Sequence, residues 1–290
     1  MRLATIVSAG EETLALVITD HVIPLTNINK HYHTRWNTCL YSLLSDQQLD
    51  QFKDWVSQQN HNTLTSLALK KTADITPLYR HPRKIWGIGL NYAEHAGDLE
   101  EKSPTTAPAS FMKPDTTIIG PGDAIQIPKQ SQRTTAEAEL GVIIGKRCKN
   151  ITPAAAPEYV AGFTNIIDMT AEDILRQNPR YLTRSKSFDT FFSFGPYLVT
   201  PDEVADVLLL EVATVINGSV HRKNYVNNMT FNPWELVAFH SQVMTLLPGD
   251  IISTGTPGAV VIADGDEVSC EITGFPTLQN SVMDLKTDRA

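Results

Sequence analysis

The chain has 290 residues, 42% of them hydrophobic, enough for one large domain or for one domain with a small appendage. Its 24 Lys and Arg stand against 32 Asp and Glu, a formal net charge of −8 with no basic run, which argues against a nucleic-acid surface and for a small-molecule partner. Cys39, Cys148 and Cys270 are far apart and lack C-x-x-C spacing, so they read as reduced thiols in a cytoplasmic protein. Glu11 and Glu12 interrupt the first apolar run, and no segment approaches the roughly 18 apolar residues of a membrane span, so no membrane partner is expected.

From the N-terminus, "RLATIVSAG", the turn at Glu11-Glu12, "TLALVITD" and "HVIPL" read as short strands. His31-Tyr-His33 offers two imidazoles but has no carboxylate cluster beside it, and reads as a surface strand or loop. Ser45-Asp-Gln-Gln48 has the form of a capping box, after which Leu49, Phe52, Trp55 and Val56 recur at helical intervals. The polar "SQQNHNT" ends that helix, and the stretch from Pro77 to Pro82 reads as a linker. The boundary expected there divides a small β-rich N-terminal domain, residues 1–80, from a larger one, residues 81–290.

Beyond it, short β-type runs alternate with Gly and Pro turns: "KIWGIGL", "TTIIGPGDAIQIP", "ELGVIIG", "VAGFTNIID", "LEVATVING", "GDIISTGTPG" and "DEVSCEITG". The clearest helices are 171–178 and "NPWELVAFHSQVMTLL", where Asn232 can cap and Pro233 takes the first helical position. The expected fold class is α+β, with a mixed, mainly β principal domain.

Gly87-Ile-Gly89-Leu-Asn-Tyr92 starts like a dinucleotide fingerprint, but Tyr92 stands where a third small residue is needed and no acidic residue follows about 20 positions on. Neither a phosphate-binding G-x-x-x-x-G-K-[ST] loop nor a G-x-S-x-G nucleophile elbow occurs. The informative stretch is "RTTAEAELGVIIGK", residues 133 to 146. Glu137 and Glu139 are two apart on a strand and therefore share a face, and inward-facing like charges repel unless something positive lies between them. Asp168 ends a second apolar strand, "GFTNII". Three carboxylates from two strand ends suit a hard divalent cation; the competing reading is an exposed strand edge plus a helix-capping Asp.

Around these carboxylates the chain resembles the fumarylacetoacetate hydrolase superfamily, from about residue 84 to 284. "GIGLNYAEHAGD", "ASFMKPDTTIIGPGDAIQIP", "AEAELGVIIGK", "GFTNIIDMTAED", "RSKSFDTFFSFGP", "VINGSV" and "TLLPGDIISTGTPGAV" follow in the family's order. The resemblance implies that Glu137, Glu139 and Asp168 bind Mg2+ or Mn2+, and that Lys186 polarises a carbonyl or stabilises an enolate. It also implies that Thr190 and Thr256 line the substrate site and that His95 activates water. The acid three residues after that histidine is Asp98 here where the family has Glu, which leaves Glu100 and Glu101 as alternative partners. The implied substrate is a 2-oxo acid and the implied assembly a homodimer. Hydrolytic C–C cleavage of an acylpyruvate is the leading expectation, with oxaloacetate decarboxylation, hydration of dienoates, isomerisation of hydroxymuconate-type acids, or a catalytically idle ligand-binding protein as alternatives. Two departures bear on the substrate: Glu172 and Leu175 stand where relatives commonly carry Arg and Gln, and Thr170-Ala-Glu-Asp173 has the form of a capping-box variant.

Overall fold

The structure, a computed structural model, describes residues 1–70, 73–93 and 104–287. The strands β1 (Arg2–Ser8), β2 (Glu11–Ile18) and β3 (His21–Pro24) form a meander, followed by four short helices, α1 (Leu25–Tyr32), α2 (Leu40–Ser45), α3 (Leu49–Ser57) and α4 (His61–Ser66). Next come β4 (Ile85–Gly89), β5 (Ala109–Met112), β6 (Ile118–Ile119), β7 (Ala124–Ile127), the long pair β8 (Thr134–Ile144) and β9 (Val160–Ala171), then α5 (Glu172–Gln177) and α6 (Leu182–Lys186). The chain closes with β10 (Phe192–Val199), β11 (Glu211–Ile216), β12 (Ser219–Tyr225), α7 (Pro233–Val243), β13 (Ile251–Ser253), β14 (Val260–Val261), β15 (Glu267–Ile272) and β16 (Leu278–Asp284). Strands dominate, in keeping with the mixed, mainly β expectation.

One sheet runs β3-β2-β1-β10-β9-β8-β13-β4-β5, with β14 beside β8 and β6 beside β10; a second runs β12-β11-β15-β16-β7. The described part of the first 80 residues holds more helix than strand. Their strands extend the large sheet through Arg2↔Val199 and Leu3↔Leu198. Helices form there because Leu25 and Ile28, then Leu40, Leu43 and Leu44, recur at helical spacing and are all buried. Ser45 accordingly closes α2 instead of opening a helix, and α3 begins after Gln48 with no side-chain cap. His31 and His33 lie at the end of α1, with His33 in the left-handed conformation. Only the Asn232 capping box forms as expected, with the Glu235 side chain closing it on α7.

The two faces of β8 and β9 set up everything that follows. Ala136, Ala138, Leu140 and Val142, with Phe163, Ile167, Met169 and Ala171, pack on one face against Val212, Val268, Cys270 and Leu278 of the second sheet. The opposite face is divided along its length. At one end Ile143 and Ile166 join Ile251, Phe194, Leu198 and the apolar sides of α1–α3. At the other end the same face carries Glu137, Glu139, Asp168 and Thr170.

Gly141 lies between those halves, opposite Thr164, where a Cβ would come within 2.5 Å of Ile166 Cδ1 and 2.9 Å of Thr164 Cγ2. Both neighbours are fully buried, so a methyl group has nowhere to go. Gly141→Ala is expected to destabilise the protein by about 1–3 kcal/mol, read as a lowered urea midpoint with an unchanged slope.

Candidate metal centre

Glu137 and Asp168 are directly opposed in the antiparallel ladder, and Glu139 is the next residue of β8 on that face. One oxygen from each of the three lies within 4.8 Å of the others, and all three residues are buried. At that separation each carboxylate pair repels by about 3–4 kcal/mol at an effective dielectric near 20, so cations and hydrogen-bond donors must collect around them. Two lysines do so. Lys186 Nζ, at the end of α6, donates to Glu137 Oε2 at 3.0 Å and Asp168 Oδ2 at 2.8 Å. Lys113 Nζ, just beyond β5, donates to Asp168 Oδ1 at 2.5 Å.

Hydroxyls and amides complete the first ring of donors. Thr170 Oγ1 donates to Glu137 Oε1 at 2.6 Å, and Thr135 Oγ1 reaches the same oxygen at 3.3 Å. Ser253 Oγ and the Gly255 amide donate to Glu139 Oε2, at 2.5 and 2.9 Å. Gly255 is in a positive-φ conformation, and a Cβ there would approach Asn91 Cβ at 2.8 Å, so only glycine brings its amide this close. Asn91 secures that turn by donating to the Thr254 carbonyl at 2.7 Å while it exchanges hydrogen bonds with Phe231. The Phe111 ring, 5.0 Å from Lys186 Nζ, walls the ammonium from the other side.

The electrostatics follow from this crowding. Burial, and then the charge of Asp168, push the Glu139 carboxyl well above the ordinary carboxylate range. Burial opposes the charge on Lys186, but attraction by Asp168, Glu137 and Glu139 outweighs it and raises its pKa. Burial dominates at Lys113 and lowers its pKa, with Asp168 only partly offsetting it. Two ammonium groups therefore face three carboxylates in a space that water barely enters. The donor set consists of hard oxygens from residues held by the sheet itself, which fits a divalent ion of the magnesium or manganese type.

The sequence model of the fumarylacetoacetate hydrolase C-terminal domain matches residues 84–283. The chain belongs to the fumarylacetoacetate hydrolase family. It is 38% identical over 217 residues to the mitochondrial oxaloacetate tautomerase Fahd2a of Rattus norvegicus, a match covering 72% of this chain and 69% of that one. Among solved structures it superposes on 5-carboxymethyl-2-hydroxymuconate delta-isomerase from Mycobacterium smegmatis with a TM-score of 0.74 at 29% identity, covering 99% and 100% of the two chains. It also superposes on maleylpyruvate hydrolase from Sphingobium sp. SYK-6 in complex with manganese(II) and pyruvate, with a TM-score of 0.80 at 26% identity, covering 98% and 99%. These relatives include a tautomerase, an isomerase and a hydrolase.

The structure brings Lys186 together with Glu137, Glu139 and Asp168. Thr256 is buried one residue beyond Gly255, its hydroxyl exchanging hydrogen bonds with Gly258. Thr190, at φ 69°, accepts a hydrogen bond from the Gln126 amide at 2.9 Å, which ties it to β7. His95, Asp98, Glu100 and Glu101 lie outside the described residues. The Thr170 hydroxyl does not cap α5, whose preceding residue Ala171 offers no side-chain bond; the nearby carboxylate of Glu137 captures it instead. Asp173 likewise turns away to accept from Ser131 Oγ and the Gln132 amide, each at 2.8 Å. Lys113 is a site residue that sequence reasoning misses although it belongs to the "FMKP" segment, since a lysine just past a strand end and before a proline carries no local mark of burial.

The raised Glu139 pKa has a measurable consequence. Between the ordinary glutamate range and that raised value, the unfolded chain has lost a proton that the native state keeps, so this group's contribution to stability falls as pH rises. With metal removed by EDTA, the urea midpoint is expected to decline across that interval, and Glu139→Gln, which has no proton to lose, is expected to flatten the decline.

Proposed function

We propose that this chain is a metal-dependent enzyme that acts on 2-oxo acids, and that its reaction is hydrolytic cleavage of the C–C bond in an acylpyruvate-type substrate. The observation that carries this reading is the trio Glu137, Glu139 and Asp168, buried and braced by Lys113 and Lys186. Glu137, Glu139 and Asp168 would hold Mg2+ or Mn2+; the manganese and pyruvate of the Sphingobium hydrolase support that choice of ion class and of ligand. The ion would supply Lewis acidity to the 2-oxo carboxylate unit, lowering the cost of negative charge on it.

The chain's own groups then divide the remaining work. An ammonium carries three N–H donors, and Lys186 spends two on Glu137 and Asp168, which leaves one for the substrate oxygen on which charge develops. His95, paired with Asp98 or with Glu100 or Glu101, takes a proton from water as the hydroxide adds to the far carbonyl. The C–C bond pair leaves as the enolate of pyruvate, a proton then adds to its carbon, and the products are pyruvate and a carboxylate. A homodimer with Thr190 and Thr256 along the substrate path completes the proposal.

A second reading, keto–enol isomerisation, is supported by the tautomerase and isomerase among the relatives. It uses the same enolate and the same Lys186, but no attacking water. A panel of acylpyruvates, oxaloacetate and hydroxymuconate-type acids, assayed with Mg2+, with Mn2+ and with EDTA, separates the reactions. His95→Ala is expected to lower acylpyruvate turnover by roughly 10²- to 10⁴-fold with metal affinity nearly unchanged. Retained tautomerisation in the same variant would mark enolate chemistry that needs no histidine, whereas undiminished hydrolysis would remove His95 from the mechanism. Oxalate, which mimics the chelating 2-oxo carboxylate, is expected to bind by calorimetry only with metal present; equal affinity in EDTA would overturn the chelation reading.

A further inference from the structure

The face that carries the carboxylates does not stop at Glu137 and Asp168. In the β8–β9 ladder the next cross-strand pair on that face is Thr135↔Thr170. Beyond it, the Glu172 amide donates to the Arg133 carbonyl at 2.9 Å, which extends the ladder to one more pair, Arg133 with Glu172. Both threonine hydroxyls turn toward Glu137, and the Arg133 side chain bonds Glu172, so three successive polar pairs line one face. Four residues of strand, about 13 Å, separate the α-carbon of Arg133 from that of Glu137.

Glu172 is buried, yet it holds two partly exposed guanidinium groups. Arg133 Nε bonds one of its oxygens, while Arg176 Nε and Nη2 bond the other at 2.9 and 2.7 Å. Two arginines are thus gathered around one carboxylate, leaving one net positive charge and several unspent N–H donors one cross-strand pair beyond Thr135 and Thr170. The covering segment from α5 to α6 adds Arg180 and Arg184, both exposed and without a carboxylate partner among the described residues, in a chain whose overall charge is −8. Leu175, half-buried between Glu172 and Arg176 in sequence, supplies an apolar surface beside them.

From this geometry we propose that Arg133 and Arg176, positioned by Glu172, form a second anion subsite that binds the far carboxylate of a dicarboxylic 2-oxo acid. The separation along the strand favours diacids longer than the four-carbon oxaloacetate, whose middle carbons would lie against Leu175. The subsite rests on the chelation reading of the three carboxylates for the near end of the substrate.

Two acids of equal length test it in the presence of Mn2+, by calorimetry on the full chain: 2-oxoadipate and 2-oxohexanoate, which differ only in the far carboxylate. The parent protein is expected to bind 2-oxoadipate at least tenfold more tightly, and Arg176→Ala is expected to remove most of that preference while leaving oxalate affinity unchanged. Arg133 still holds Glu172 in that variant, so the fold is not put at risk; Arg133→Ala provides the converse test, and Arg176→Lys is expected to restore part of the preference. Equal affinities for the two acids in the parent, or a loss in Arg176→Ala shared equally by oxalate and both acids, would overturn the subsite. Failure of oxalate to bind the Mn2+-loaded parent would instead sink the chelation reading and the subsite with it.

Discussion

Three carboxylates on one face of an antiparallel strand pair can be buried only where positive charge is supplied on the spot. Glu137, Glu139 and Asp168 meet that condition through Lys113 and Lys186, and the positions of several other elements follow from it. Lys186 must be delivered back over β9 by α5 and α6, Lys113 must be presented by the end of β5, and the turn after β13 must come close enough for its Gly255 amide to reach Glu139. Five separate stretches of chain converge because the price of leaving any carboxylate unpaired in this interior is several kcal/mol. The site is thus a property of the sheet order β9-β8-β13-β4-β5 as much as of the residues themselves.

That arrangement also explains why the centre suits a divalent ion better than a static ion-pair network. With Lys113 pushed toward its neutral form by burial and Glu139 pushed toward its protonated form, the charges in the cluster are poorly matched to their surroundings. A doubly charged ion among the three carboxylates would favour their ionised forms and offset their mutual repulsion. Functional centres commonly sit where side chains are held in protonation states they would not choose in water.

Part of this is legible in the sequence for a physical reason. A period-two pattern fixes which residues share a strand face, so the order of letters in "TAEAELGVII" is enough to place Glu137 beside Glu139. The Asn232–Pro233–Glu235 start of α7 is legible because capping is local chemistry. The misreadings share the opposite cause. Ser45-x-x-Gln48 and Thr170-x-x-Asp173 have the letters of capping boxes, but a buried leucine cluster extends a helix through Ser45, and a carboxylate from the next strand takes the Thr170 hydroxyl. Lys113 and the Arg133–Glu172–Arg176 cluster depend on contacts between distant or cross-strand residues, which local pattern does not encode.

The divided face of β8 and β9 assigns a structural task to the N-terminal segment. The family match begins at residue 84, whereas the apolar half of that face, with Ile143, Ile166, Phe194 and Ile251, is continued by Leu3, Leu14 and Leu16 of the same sheet and packs with the buried sides of α1–α3. Each such side chain returned to water would cost about 1.5–3 kcal/mol, so these first 80 residues are integral to the layer that also carries the carboxylates. Ile166 is two residues from Asp168 on the same face and Ile143 four from Glu139, so packing of the N-terminal helices and the placement of the charged groups are set by the same two strands. A change that loosens α1–α3 would therefore be felt at the metal centre through the register of β8 and β9, even though no residue of those helices reaches a carboxylate oxygen through any described hydrogen bond.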